Sequence, residues 1–117
     1  LNGKIAQADY ERAVIGFRQA FYRALADVEN ALSLRKQLAE QADYLDKALA
    51  TAYKAERIAE VQYRAGSVPI KTWLDAQEAR RSASSAVAAN RLERLSACVG
   101  LYQALGGDAA VSTAAAD

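Results

Sequence analysis

The chain has 117 residues, 15 basic and 14 acidic, and 52% of it is hydrophobic. Much of that fraction is alanine, 28 residues, which forms helix well and buries little per side chain. There is no histidine, and Cys98 is the single cysteine. This excludes histidine-based acid–base catalysis, Ser-His triads, His metal ligands and an internal disulfide. Cys98 lies among Leu95, Val99 and Leu101, where the expectation is a small buried apolar side chain.

Charge is balanced along the chain. Residues 1–65 carry 10 basic and 9 acidic side chains, and residues 66–117 carry 5 of each. No basic stripe suits nucleic acid, no polybasic run suits anionic lipid, and no apolar run reaches the roughly 20 residues of a membrane-spanning helix. No signal peptide pattern is present.

The first element is long. Between Gly3 and Gly66 the only glycine is Gly16, and there is no proline. Two apolar columns keep a period of seven: Val14, Phe21, Val28, Arg35, Ala42, Leu49, Glu56, Tyr63, and Tyr10, Phe17, Ala24, Ala31, Leu38, Leu45, Ala52, Ala59. Only Arg35 and Glu56 break them. Steps of four and three held this long predict a helix in a left-handed coiled coil. About 60 residues at 1.5 Å each predict a helix of roughly 90 Å, over about 3–65. Ala13, Ala20, Ala48 and Ala55 on one flank, and Leu25, Leu32, Ala39 and Tyr53 on the other, widen the apolar face.

The helix is expected to stop at Gly66, because glycine accepts the left-handed conformation that closes a helix. Pro69 cannot continue it. A tip loop is expected over 66–72. Thr72 and Asp75 have the spacing of a capping box, which places the start of the second helix near Trp73. That helix is expected over about 73–105, with Leu92, Leu95, Val99 and Tyr102 as its clearest seam and small residues (Ala76, Ala79, Ala83, Ala86, Ala88, Ala89) before it. Gly106-Gly107 closes it. Residues 108–117 lack periodicity and read as a flexible tail. No strand-like alternation occurs. The fold class is all-α: a long antiparallel coiled-coil helical hairpin over 1–107.

Two strings on this pattern carry a resemblance. Tyr63, Gly66 and the run Trp73-Leu74-Asp75-Ala76-Gln77 form one; Leu101-Tyr102-Gln103-Ala104-Leu105-Gly106-Gly107 forms the other. Together they resemble the last periplasmic hairpin of the outer membrane factors, the TolC and OprM type of bacterial efflux channel. The resemblance runs from about Leu1, where Leu-Asn-Gly looks like the exit from the last membrane strand, to Gly107. Pro69 in the tip and Asp108 after the second string depart from the family pattern.

The resemblance implies a fragment of an α-helical barrel, part of the periplasmic tunnel of a trimeric outer-membrane channel. Such a channel exports drugs, metals or proteins with a periplasmic adaptor protein and an inner-membrane transporter. It implies localisation at the cell outer membrane, this segment lying in the periplasm. It implies no enzymatic activity and no cofactor, and neither catalytic nor metal-binding residues. By this resemblance Gly66, Ser67, Val68, Pro69 and Ile70 form the adaptor-docking tip, and Tyr63 and Asp75 are gate candidates. A bare aspartate ring would favour cations. From the residues alone, Gly66 reads as a helix cap, Asp75 as a first-turn carboxylate favouring the dipole, Tyr63 as a packing residue, and Trp73 as either a packing anchor or an interface hot spot. The alternative reading is a structural coiled-coil hairpin acting as a scaffold without transport role.

Helix 1 outruns helix 2, so Tyr10, Val14, Phe17, Phe21 and Val28 are expected to lack a cover within the chain. Each large side chain left in water forgoes roughly 1.5–3 kcal/mol. The chain alone is therefore expected to pair the bare segments of two copies as an antiparallel dimer. The competing solution is a break near Arg35 with the N-terminal part folding back.

Overall fold

The computed structural model describes the backbone of residues 2–107 and the side chains of residues 6–106. The expected tail over 108–117, and Leu1, lie outside the described residues. Two helices, α1 (Asn2–Arg64) and α2 (Ile70–Tyr102), account for nearly all of it, and α2 runs into a short π-helical turn, Gln103–Gly107. No strand occurs among the described residues. Helix α1 is unbroken at Arg35, so the fold-back expectation is overturned. Its 63 residues contain no proline and two glycines, Gly3 and Gly16, leaving its hydrogen-bond ladder without an interruption.

Among the described residues two compact units divide the chain, one of residues 35–97 and one of residues 2–34 with 98–107. The first unit is the hairpin proper. Its core is narrow and made of small side chains: Leu38, Ala42 and Ala59 from α1, Val87 and Ala97 from α2. Leu45, Leu49 and Ala52 are half-buried beside them, so α1 presents its two heptad columns as expected. Small residues let two helix backbones approach closely, and packing of this kind follows the three–four spacing of a coiled coil.

Helix α2 turns a different face inward from the one its large side chains suggest. Trp73, Ala76, Arg80, Ala83, Val87 and Asn90 keep a spacing of three and four, Ala97 follows one heptad after Asn90, and all are buried or half-buried. Leu92, Leu95, Val99 and Tyr102 are exposed. They form a second seam on the opposite side, two residues (about 200°) round from the inner one. Cys98 is likewise exposed. The expected seam and the expected buried cysteine are both corrected. In a seam built for close approach, alanine and valine fit where leucine and tyrosine would hold the helices apart.

In the second unit, Val28 and Ala31 of α1 are half-buried, as are Gly100, Leu101 and Ala104. Tyr10, Phe17 and Phe21 are exposed, and the two phenylalanine rings stack one turn apart with centroids 6.5 Å apart.

Candidate functional site: the hairpin tip and its polar clasps

The tip is closed by backbone geometry. Gly66 has φ 77°, in the left-handed region. Its N–H donates to the Tyr63 carbonyl at 3.0 Å, and the Ser67 N–H donates to the Gln62 carbonyl at 2.9 Å. This crossed pair is a Schellman motif, and it satisfies two carbonyls that the end of α1 would otherwise leave open.

Helix α2 then opens at Ile70, earlier than the expected start near Trp73. The reason is Pro69. Its fixed φ suits the mouth of a helix, and its carbonyl accepts the Thr72 N–H at 3.1 Å. Thr72 is thus inside the helix and caps nothing. Asp75 lies more than a turn beyond the start, so the expected capping box does not form. The Asp75 carboxylate instead accepts from Lys71 Nζ at 3.0 Å, with both side chains well exposed. Around the turn, Gly66, Ser67, Pro69 and Ile70 are exposed and Val68 is half-buried.

Behind the tip, the Tyr63 ring packs on Trp73 with centroids 5.5 Å apart. The Trp73 indole N–H is covered and has no acceptor among the described residues. Two polar clasps follow along the hairpin. Arg80 Nε donates to Glu56 Oε2 at 2.8 Å, and its guanidinium lies 5.6 Å from the Tyr53 ring centroid. The hydrogen bond to Glu56 raises the Arg80 pKa, against the opposing effect of partial burial. Glu56, which breaks an apolar column in the sequence, is therefore matched across the seam. Deeper still, Asn90 is buried and donates from Nδ2 to the Leu38 carbonyl at 3.1 Å and to Gln41 Oε1 at 3.2 Å.

Neither clasp was anticipated. Both are visible as heptad positions once the α2 columns are counted from Trp73 and not from Leu92. An alanine seam looks much the same after a shift of one heptad, so these polar contacts supply the register that the small side chains lack. A double-mutant cycle on Glu56→Ala and Arg80→Ala should show favourable coupling in urea denaturation, reduced in high salt. Additive effects would rule out the clasp.

Tyr53, Glu56, Arg57, Glu60 and Arg80 line a shallow groove of about 390 Å³. Its charges alternate in sign. Among the described residues no group of three or more His, Cys, Asp or Glu could hold a metal ion, and no helix is long and apolar enough to cross a membrane.

The outer membrane efflux protein family matches residues 2–107, the whole of the two-helix pattern. The chain belongs to that family. It is 35% identical over 104 residues to the pyoverdine export outer membrane protein OpmQ of Pseudomonas putida, an alignment covering 89% of this chain and 22% of that protein. OpmQ of Pseudomonas aeruginosa is 35% identical over 100 residues, 86% of this chain and 21% of the relative. The toluene efflux pump outer membrane protein TtgC of Pseudomonas putida is 33% identical over 107 residues, 87% of this chain and 22% of the relative. The chain thus spans about a fifth of the length of these curated relatives. No solved structure matches it.

Proposed function

We propose that this chain is part of the periplasmic tunnel of a trimeric outer-membrane channel, a passive conduit working with a periplasmic adaptor and an inner-membrane transporter. The observation that carries the reading is the family match over both arms and the tip of the hairpin. The names of the relatives, which export pyoverdine or toluene, support an export role. In this reading the chain has no enzymatic role and needs no cofactor. The segment lies in the periplasm, below the outer membrane.

The turn from Gly66 to Ile70 is the adaptor-docking tip. Its exposed Pro69 and Ile70 offer apolar contact on a backbone fixed by the Schellman bonds. Tyr63 and Asp75 are the gate residues. Asp75 has no capping duty at the start of α2, which leaves its carboxylate available to a lumen ring. Lys71, one turn away, offsets that charge. In the channel containing this hairpin, Asp75→Ala should lower the cation-over-anion permeability in a planar bilayer. Lys71→Gln should raise it, since an unscreened carboxylate ring favours cations. Unchanged selectivity in both variants, with assembly intact, would remove Asp75 from the gate.

A further inference from the structure

The charges at the tip are arranged in one sense. On α1, Arg64 donates from Nε to Glu60 Oε1 at 3.1 Å, and its Nη2 lies 3.0 Å from the same oxygen. On α2, Lys71 Nζ donates to Asp75 Oδ2 at 3.0 Å. In each pair the base stands four residues nearer the turn than the acid. Four residues are about 6 Å of helix. Both ion pairs therefore set the cation toward the end of the hairpin and the carboxylate behind it. Between Glu60 and Asp75 the sequence has no other acid, and Arg64 and Lys71 are its only bases. Both arms leading into this turn belong to the compact unit of residues 35–97.

The fold accounts poorly for these cations. Arg64 suits the last turn of α1, but Lys71 is the second residue of α2, where the helix field favours an anion and disfavours a cation. The turn is closed by Gly66 and backbone hydrogen bonds, which need neither side chain. The Arg64 and Lys71 side chains are 70% and 82% exposed. Pairs of this kind in water hold their partners weakly, so an incoming carboxylate can share or replace the acid already there. Donors are also left over. The ammonium carries three N–H groups and the guanidinium five, whereas each is engaged by a single carboxylate oxygen.

We infer that Arg64 and Lys71 form a basic docking contact for acidic side chains of the periplasmic adaptor. This rests on the reading of the turn as the adaptor-docking tip, and it adds the chemistry of the partner: carboxylates beside the surface that meets Pro69 and Ile70. Charges at the rim of a contact steer the approach and fix the register more than they add affinity. Pro69 and Ile70 then supply the apolar burial, and the two cations guide the partner onto them. Lys71 can hold Asp75 and an adaptor carboxylate together, because Asp75 takes only one of its donors.

The test uses the full-length channel containing this hairpin and the adaptor that copurifies with it, with association followed by surface plasmon resonance at low and high salt. Arg64→Gln/Lys71→Gln should slow association roughly tenfold at low salt and flatten its salt dependence. Glu60→Gln/Asp75→Asn releases both cations and should speed association. If the two ion pairs only hold the tip in shape, both double variants lose binding alike, and that result would overturn the docking role. Lys71→Glu should slow association further, and changing one adaptor Asp or Glu to Lys should restore it. Gly66→Val separates the charge contact from the docking tip itself. If Gly66→Val weakens docking while Arg64→Gln/Lys71→Gln docks at the wild-type rate, the adaptor meets the tip without these charges and only the charge contact is overturned. If neither variant changes docking, the turn is not the docking tip and both are overturned.

Discussion

Leu38→Ala should lower the stability of the chain by about 2–4 kcal/mol, the usual cost of cutting a buried leucine to a methyl group. Leu38 is the one leucine in a core otherwise made of alanine and a single valine among the described residues. Its neighbours have little side chain with which to fill the space. The Asn90 contact runs to its backbone carbonyl, so the substitution removes packing and leaves that hydrogen bond in place. The loss would be a large share of the 5–15 kcal/mol that holds a typical domain together. Urea denaturation followed by the helical circular dichroism signal checks it. The midpoint should fall with an unchanged slope. A midpoint equal to that of the unmodified chain would mean that the seam at Leu38 is open to water.

Gly66→Val should cost about 2 kcal/mol or more, because the left-handed conformation carries a penalty of roughly 1–2 kcal/mol for an ordinary residue and more for a β-branched one. The cost is torsional, not spatial. A Cβ built at Gly66 meets nothing within 4 Å. Gly66→Asn should therefore retain most of the stability, since asparagine enters this region more readily. Equal losses for valine and asparagine would point to crowding and contradict the torsional account. In the proposed channel, Gly66→Val should also weaken adaptor binding in a pull-down, because the Schellman bonds fix the shape that the tip presents. Full adaptor binding by a valine variant with a measurably altered tip would separate docking from the turn.

How far the fold was legible depended on side-chain size. On α1 the sequence pattern and the burial agree from Val28 to Ala59, because leucine and alanine alternate there in two columns and the period alone marks the face. Arg35 interrupts a column between Val28 and Ala42 and is exposed, as an unpaired charge in an apolar column would be. On α2 the large residues pointed the wrong way. Burial follows Ala76, Ala83, Val87 and Ala97, whereas Leu92 and Leu95 stay in water. Weighting positions by hydrophobic size fails where close approach of backbones selects small residues. Asn90 was hidden for a related reason. A polar side chain in an apolar column reads as a break until its acceptors, a carbonyl and Gln41, are known. The tip glycine was legible because its constraint is local. The start of α2 was not, since Pro69 both stops one helix and opens the next.

The matched heptad seams also make the hairpin's length adjustable in fixed steps. Seven residues added to α1 and seven to α2 at the same level leave every inward column in phase. Each such pair would lengthen the arm by about 10 Å at 1.5 Å per residue. An insertion of any other size, or in one arm alone, would rotate or offset one seam against the other. Related hairpins should therefore differ by whole heptads inserted in both arms together, with the Glu56–Arg80 and Asn90–Leu38 contacts kept at their own distances from the tip. The same rule sets the only lengths at which an engineered extension of this hairpin would still close.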